Sequence, residues 1–338
     1  MPRILTLLLL LPLVGCQQSS IPAKPLQPVV VDEAAAYPAQ DLGTKPPILT
    51  GFTPLSKELL DEGWVQLFDG ISTFGWEVSE GEGTLSVMSD GTKNYFVLDN
   101  KNQEKVFIVH HRFCKDIKVE GDCIRISGLG PLETHSATKN GLRHELRGKP
   151  SELITQPLTE SDWHPAAGAS EAKWSNAMSD NYCLELTGGS GMVETVKEYG
   201  DFILQLEYFT EKGINSGVFF RCIPGENMNG YECQILNTPS DNDYESFIGT
   251  DTGGIFRRQV GRNVGPKDGE WNYLTVAARG PHIATWVNGI QVTDWTDPRD
   301  EHDNPRNGKR LKPGTIQLQG HDPETKIQFR NFRIAEIL

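Results

Sequence analysis

The sequence is poor in cysteine, in positive charge and in long apolar runs. Six cysteines are spread over 338 residues, and no Cys-x-x-Cys pair occurs, which argues against a structural zinc site. Lysine and arginine total 32 against 45 aspartates and glutamates, a net charge of −13, and no basic stripe gathers the cations. That balance argues against nucleic acid as a partner and speaks mainly to solubility. The most apolar run, Ile4 to Val14, is too short to cross a bilayer as a mature helix.

What is present begins with an address. Arg3 precedes the apolar run, which ends in Leu13-Val14-Gly15-Cys16. Residues 1–15 read as a secretion signal. Their ending resembles a bacterial lipobox, which implies cleavage before Cys16 and lipid on its thiol. Gln17, in place of Asp, points to the periplasmic face of the outer membrane. The other reading is an ordinary secretory peptide in which Cys16 is incidental. Residues 16–55 are rich in Pro and Ala without periodicity and read as a tether, with a reach on the order of 100 Å. Ser56 to Glu62 is expected to form a short helix, with Ser56 as N-cap and Gly63 just past its end.

The body of the chain is turn-rich, with 34 Gly and 21 Pro, and its short alternating runs predict an all-β protein. Tyr199 to Asn237 reads as three strands. Leu204, Leu206 and Tyr208 share one face of the first, with Gln205 and Glu207 on the other. Gly217, Phe219 and Arg221 share a face of the second; Glu232 and Gln234 share a face of the third. A simple hairpin over Pro224–Gly230 would set Arg221 opposite Gln234 and Cys222 opposite Cys233. One face would then carry Glu207, Arg221, Glu232 and Gln234, as either a solvated surface or the floor of a cleft. Asn215-Ser216-Gly217 beside that face favours the cleft. In an oxidising compartment Cys222–Cys233 is the disulfide to test, with Cys114–Cys123 as a second pair; two adjacent buried thiols are the alternative.

Elsewhere, Thr84–Met88, Tyr95–Leu98, Val106–His110 and Cys123–Ser127 look like strands, and Pro157 to Ser179, with Trp163, His164 and Trp174, looks like a loop. His110-His111-Arg112 and Arg143-His144-Glu145 show no ligand pattern, since adjacent strand residues point to opposite faces. Asn288-Gly289 between alternating runs predicts a type I′ hairpin. Gln317, Gln319 and His321 fall on one face of the Gly314–His321 strand, Ile316 and Leu318 on the other.

Several of these segments, taken together and in order, resemble the 3-keto-disaccharide hydrolase family. They are Gly63-Trp64 with Leu67-Phe68-Asp69-Gly70 and Gly75-Trp76; Tyr199-Gly200-Asp201-Phe202 and Glu207; Asn215-Ser216-Gly217 and Arg221; Gly230-Tyr231-Glu232-Cys233-Gln234-Ile235; Thr252-Gly253; Gly269-Glu270-Trp271-Asn272; Asn288-Gly289; Leu318-Gln319-Gly320-His321; and Phe329-Arg330-Asn331. The resemblance covers roughly 64–76 and 180–338. It implies a concanavalin A-like jelly-roll sandwich of two antiparallel sheets over 56–338, with a β-rich insertion at about 77–180. It also implies action on 3-keto-glycosides or oligosaccharides supplied by a separate 3-keto-forming oxidoreductase. Cys233 and Asn237 stand where the family often has Val and Asp, and the second change removes a carboxylate.

The residues suit that chemistry. A conventional glycosidase needs two carboxylates, and the Glu-x-Asp-x-x-Glu strand of laminarinase-type sandwiches is absent; the chain offers Glu232-x-Gln234 instead. A ketone at C3 acidifies the C2 hydrogen, so a base, a cation for the enolate and an acid for the leaving oxygen would cleave by elimination, and water would then add back. The candidates are His321 or Glu232 as base with the other as acid, Arg221 for the enolate, and Glu207, Asn215, Gln234 and Gln319 to position the sugar. A divalent cation held by oxygens such as those of Glu207 and Glu232 is the alternative electrophile. The competing function is a non-catalytic carbohydrate-binding sandwich.

Overall fold

A computed structural model describes residues 48–76, 156–239 and 251–337, apart from 53, 68, 70, 169–170, 176–182 and 189–190; between 77 and 155 it describes strand backbone. Cys16, the signal and most of the tether lie outside the described residues, as do Cys114, His111-Arg112 and Arg143-His144-Glu145.

Twelve strands build the sandwich. They are β1 (Trp163–Gly168), β2 (Glu171–Ser175), β3 (Cys183–Thr187), β4 (Gly191–Thr195), β5 (Phe202–Thr210), β6 (Ser216–Cys222), β7 (Tyr231–Ile235), β8 (Trp271–Arg279), β9 (His282–Val287), β10 (Ile290–Thr296), β11 (Thr315–Gly320) and β12 (Lys326–Glu336). One antiparallel sheet runs β2-β3-β12-β5-β8-β9-β10, with Gln156–Pro157 added beside β12; the other runs β1-β4-β11-β6-β7. Period-two alternation turns Leu204, Leu206 and Tyr208 of the first sheet toward Val218, Phe220, Tyr231, Cys233, Ile235, Ile316 and Leu318 of the second, in one shared core. Truncating one of these leucines to alanine removes about 2–5 kcal/mol.

Local signals place the ends. Asn288 and Gly289 both have positive φ, +50° and +81°, and join β9 to β10 as the type I′ turn requires. Ser56 caps α1 (Lys57–Asp61) by accepting from the Leu59 amide, and Gly63 follows at φ +88°. Leu55 and Leu60 of this segment stand against the Gly289 turn. The 64–76 stretch docks too: the Gln66 amide donates to Gly289 O, Trp286 Nε1 donates to Gln66 O, and buried Arg262 pairs with Asp69 at 2.7 Å.

Within Pro157 to Ser179, expected as a loop, Trp163–Gly168 and Glu171–Ser175 form β1 and β2, each at one end of its sheet. Pro165, Ala166, Ala167 and Gly168 break the alternation, and the ladder slips between Pro165 and Gly168. The expected insertion at about 77–180 therefore overlaps the strands of the sandwich from Trp163 onward. Within it Trp76–Glu80, Phe107–His110, Asp116–Glu120 and Cys123–Ser127 form one small antiparallel sheet, and Thr84–Ser89 and Asn94–Asp99 lie in another.

The β6–β7 hairpin departs from the expected register. Val218 pairs with Cys233 and Phe220 with Tyr231, so the loop is longer than a simple closure over Pro224–Gly230. The slip is an even number of residues, so the faces of Glu232, Gln234, Gly217 and Phe219 are kept. Beyond Phe220 a bulge intervenes: Phe219 pairs with Gln317 but Cys222 with Thr315, and Arg221 sits at φ +49°. The bulge turns Cys222 onto the Phe219 and Met192 side, while Cys233 lies in the main core on the opposite face. The expected Cys222–Cys233 disulfide is thereby excluded, and both are free buried thiols. Burial pushes the Cys222 and Cys233 thiols well up from their ordinary value. Alkylation of denatured protein without reductant should label both residues, and native protein should resist the reagent; peptide mass spectrometry reads both outcomes.

Candidate carbohydrate site

The face of the five-stranded sheet turned away from the core carries the candidate site. The ladder sets Glu194, Gln317, Phe219 and Glu232 in one row across β4, β11, β6 and β7. In the next row Met192 pairs with Gln319 and Gly217 with Gln234. All of these side chains are buried.

Gly217 lets the Glu232 and Phe219 side chains close over its backbone. A Cβ there would lie 3.0 Å from Glu232 Oε1 and 3.3 Å from the Phe219 ring. The glutamines of these rows hold acceptors without donors among the described residues. Gln234 gives its amide nitrogen to Asn215 Oδ1 at 2.8 Å, Gln317 to Glu194 and Glu226 O at 3.0 Å each, and Gln319 to the Met228 sulfur at 3.8 Å. The Oε1 atoms of all three glutamines are buried with no partner. Orphaned buried acceptors are costly and rare in a finished fold.

Burial pushes the Glu232 carboxyl up from the ordinary carboxylate value, against the pull of Arg306, His321 and Arg257. Arg306, from the 297–312 loop, donates from Nη2 to Glu232 Oε2 at 3.0 Å and lies over the Phe219 and Phe256 rings at 5.1 and 5.6 Å. His321 follows β11 on the rim, with Nδ1 2.8 Å from Asp322 and a side chain 42% exposed.

Two expected members lie elsewhere. Arg221 is wholly buried at the bulge, donating to Gly200 O, Gly280 O, Arg310 O and Asp201. It faces neither Gln234 nor any open surface, so it is a structural clamp, not the cation of the site. Glu207 belongs to the other sheet and points to its outer face, bound by Arg330 at 2.8 Å and by Asn331. Glu207 and Glu232 therefore cannot share a cation. Among the described residues no cluster of three or more His, Cys, Asp or Glu is set to hold one.

Glu194 and Arg306 were not singled out in the sequence. Glu194 carried only strand alternation; Arg306 lies in a charged loop without a motif. Glu194 is no second catalytic carboxylate for Glu232. It accepts from Thr315, Gln317 and the Gly225 amide, and three strand spacings put its backbone roughly 14 Å from that of Glu232.

The sequence model of the 3-keto-alpha-glucoside-1,2-lyase-like domain matches residues 158–335, just over half of the chain. The chain belongs to this family, and with it to the carbohydrate-active proteins. No curated protein matches it in sequence. Among solved structures, a candidate glycosyl hydrolase from Parabacteroides distasonis is 27% identical, with a TM-score of 0.40, over 52% of this chain and 99% of that one. The carbohydrate-binding module CBM66 from Bacillus subtilis is 12% identical, TM-score 0.35, over 52% and 96%. A β-glucanase from Bacillus licheniformis is 15% identical, TM-score 0.35, over 55% and 96%.

Two expectations follow. A carboxyl whose folded value is raised contributes stability below its unfolded value and loses it as pH rises through the folded one. Glu232→Gln should therefore raise the melting temperature at pH 7–8, with the gain fading as pH falls toward 4, read by thermal denaturation across pH. Arg221→Ala, which removes one partner of a buried pair, should cost about 3–5 kcal/mol in urea unfolding.

Proposed function

We propose that the protein cleaves glycosidic bonds of 3-keto-glycosides by C2 proton abstraction, elimination and hydration. The observation that carries this reading is the grouping of Glu232, Gln234, Gln317 and Gln319 in two adjacent rows on one face of the five-stranded sheet, with three glutamine oxygens buried and unpartnered among the described residues. A sugar ring fits that demand: its hydroxyls donate to Gln234, Gln317 and Gln319, and Asn215 braces Gln234 from behind.

Glu232 takes the proton from C2, and the electron pair left behind forms the C2–C3 double bond of an enolate. The enolate collapses, re-forming the C3 ketone and a C1–C2 double bond as the C1–O bond breaks. The leaving oxygen takes a proton, and His321 on the rim is placed to give it or to exchange roles with Glu232. Water then adds, hydroxyl to C1 and hydrogen to C2, for net hydrolysis. A raised carboxyl suits this work, since a proton-transfer group is most effective with its pKa near the working pH. The separation of Glu194 from Glu232, and the full set of partners on Glu194, argue against these two as a carboxylate pair for conventional hydrolysis.

The Leu13-Val14-Gly15-Cys16 ending supports a lipid anchor at Cys16 and work on the cell envelope. The substrate, already oxidised at C3, implies a 3-keto-forming oxidoreductase upstream.

The test is C2 hydrogen–deuterium exchange of a 3-keto-glucoside in deuterated water, followed with aglycone release. Wild type should do both. Glu232→Gln should lose about 10²–10⁴-fold, and His321→Ala should slow aglycone release more than exchange. Sugar binding without exchange on any of several 3-keto-glycosides would replace the enzyme by a binding module.

A further inference from the structure

Proton abstraction beside a ketone needs a cation where the enolate oxygen forms, and buried Arg221 does not reach the site. We infer that Arg306 is that cation, and that the Arg306–Glu232 ion pair acts as one unit on adjacent atoms of the substrate. The inference rests on the 3-keto reading above.

The argument starts from what each partner leaves unused. Arg306 Nε donates to Met228 O at 2.8 Å and Nη2 donates to Glu232 Oε2 at 3.0 Å; Nη1 has no protein partner among the described residues. Glu232 gives Oε2 to the pair, and its Oε1 lies against Gly217, 3.0 Å from where a Cβ at that position would stand. A single 3.0 Å contact thus brings a basic oxygen and a guanidinium edge within a few ångströms of each other. The C2 hydrogen and C3 oxygen of a 3-keto sugar are themselves on neighbouring carbons, with a similar spacing. As the C2–H bond breaks, the proton goes to Glu232 Oε1 and the charge gathers on the C3 oxygen, where Arg306 donates a hydrogen bond. Proton count and charge both balance within the pair.

Placement supports the assignment. The Phe219 and Phe256 rings hold the plane of the guanidinium, and the Met228 carbonyl fixes its far edge. The side chain remains 27% exposed, unlike Arg221, so a substrate can reach it. Met228, at φ +59°, also takes the Gln319 amide on its sulfur, which couples the cation to the sugar-positioning row. A guanidinium so held donates to a fixed point without reorganising during the reaction, which is where such groups act most strongly.

The test uses the full chain with Arg306→Gln and Arg306→Lys, each checked for an unchanged melting profile. C2 exchange and aglycone release of the 3-keto-glucoside are read as kcat and KM, across pH. Arg306→Gln should lose about 10²–10³-fold in kcat for exchange, with KM changed little. Arg306→Lys should recover part of the loss. The pH at which the Glu232-dependent limb turns should move up in Arg306→Gln, because Arg306 favours the ionised carboxylate. Exchange by Arg306→Gln within about threefold of wild type, or a loss confined to KM, would overturn the assignment while leaving the 3-keto reading in place. No exchange by wild-type protein would overturn both.

Discussion

The buried guanidinium of Arg221 is the contact on which the site's arrangement depends. It donates into the backbone at Gly200, at Gly280 and at Arg310, and pairs with Asp201. These four partners belong to the entry of β5, the β8–β9 turn and the 297–312 loop. One side chain in a dry position satisfies carbonyls that would otherwise be orphaned. The loop it holds is the one that presents Arg306 to Glu232. Arg221 thus influences the carbohydrate site at a distance, through the loop, and not by contact.

The strand alternation was legible in the sequence because half-buried sheets obey a period of two. Leu204, Leu206 and Tyr208 went inward; Glu232 with Gln234, and Gln317 with Gln319, went outward together. The Asn288-Gly289 turn and the Ser56 cap were readable for equally local reasons. What was not legible came from backbone irregularity and from loops. The bulge at Arg221 broke the parity that had grouped Arg221 with Glu232 and set Cys222 against Cys233. Glu207 has the right parity on its own strand, but that strand is in the other sheet, which alternation cannot tell. The Pro-Ala-Ala-Gly stretch of β1 hid a strand, and Arg306 reaches the site from a loop with no periodic signal.

The site is polar, buried and incompletely bonded, which is an expensive combination for a fold. Glu232 is held in surroundings that disfavour its charge, and three buried glutamine oxygens lack donors among the described residues. The apolar sandwich behind them, with Phe220, Tyr231 and Ile316 in one continuous core, tolerates the cost. Substitution of Glu232 by a neutral isostere relieves the carboxylate and leaves the core untouched. Under the proposed function, stability and chemistry pull in opposite directions at this one residue.

The docking of residues 55–76 redraws the unit that folds. The family model's match begins at 158, yet Leu55 and Leu60 cover the Gly289 turn, Gln66 bonds to it, and Asp69 neutralises Arg262 in the interior. Arg262 also lies flat on the Phe74 ring, 4.0 Å away. A protein cut at the homology boundary would keep every strand of the sandwich and strand a cation in its interior, with an apolar hairpin tip bared to water. The span that the family model matches and the unit that packs together have different borders in this chain, the physical one about a hundred residues earlier.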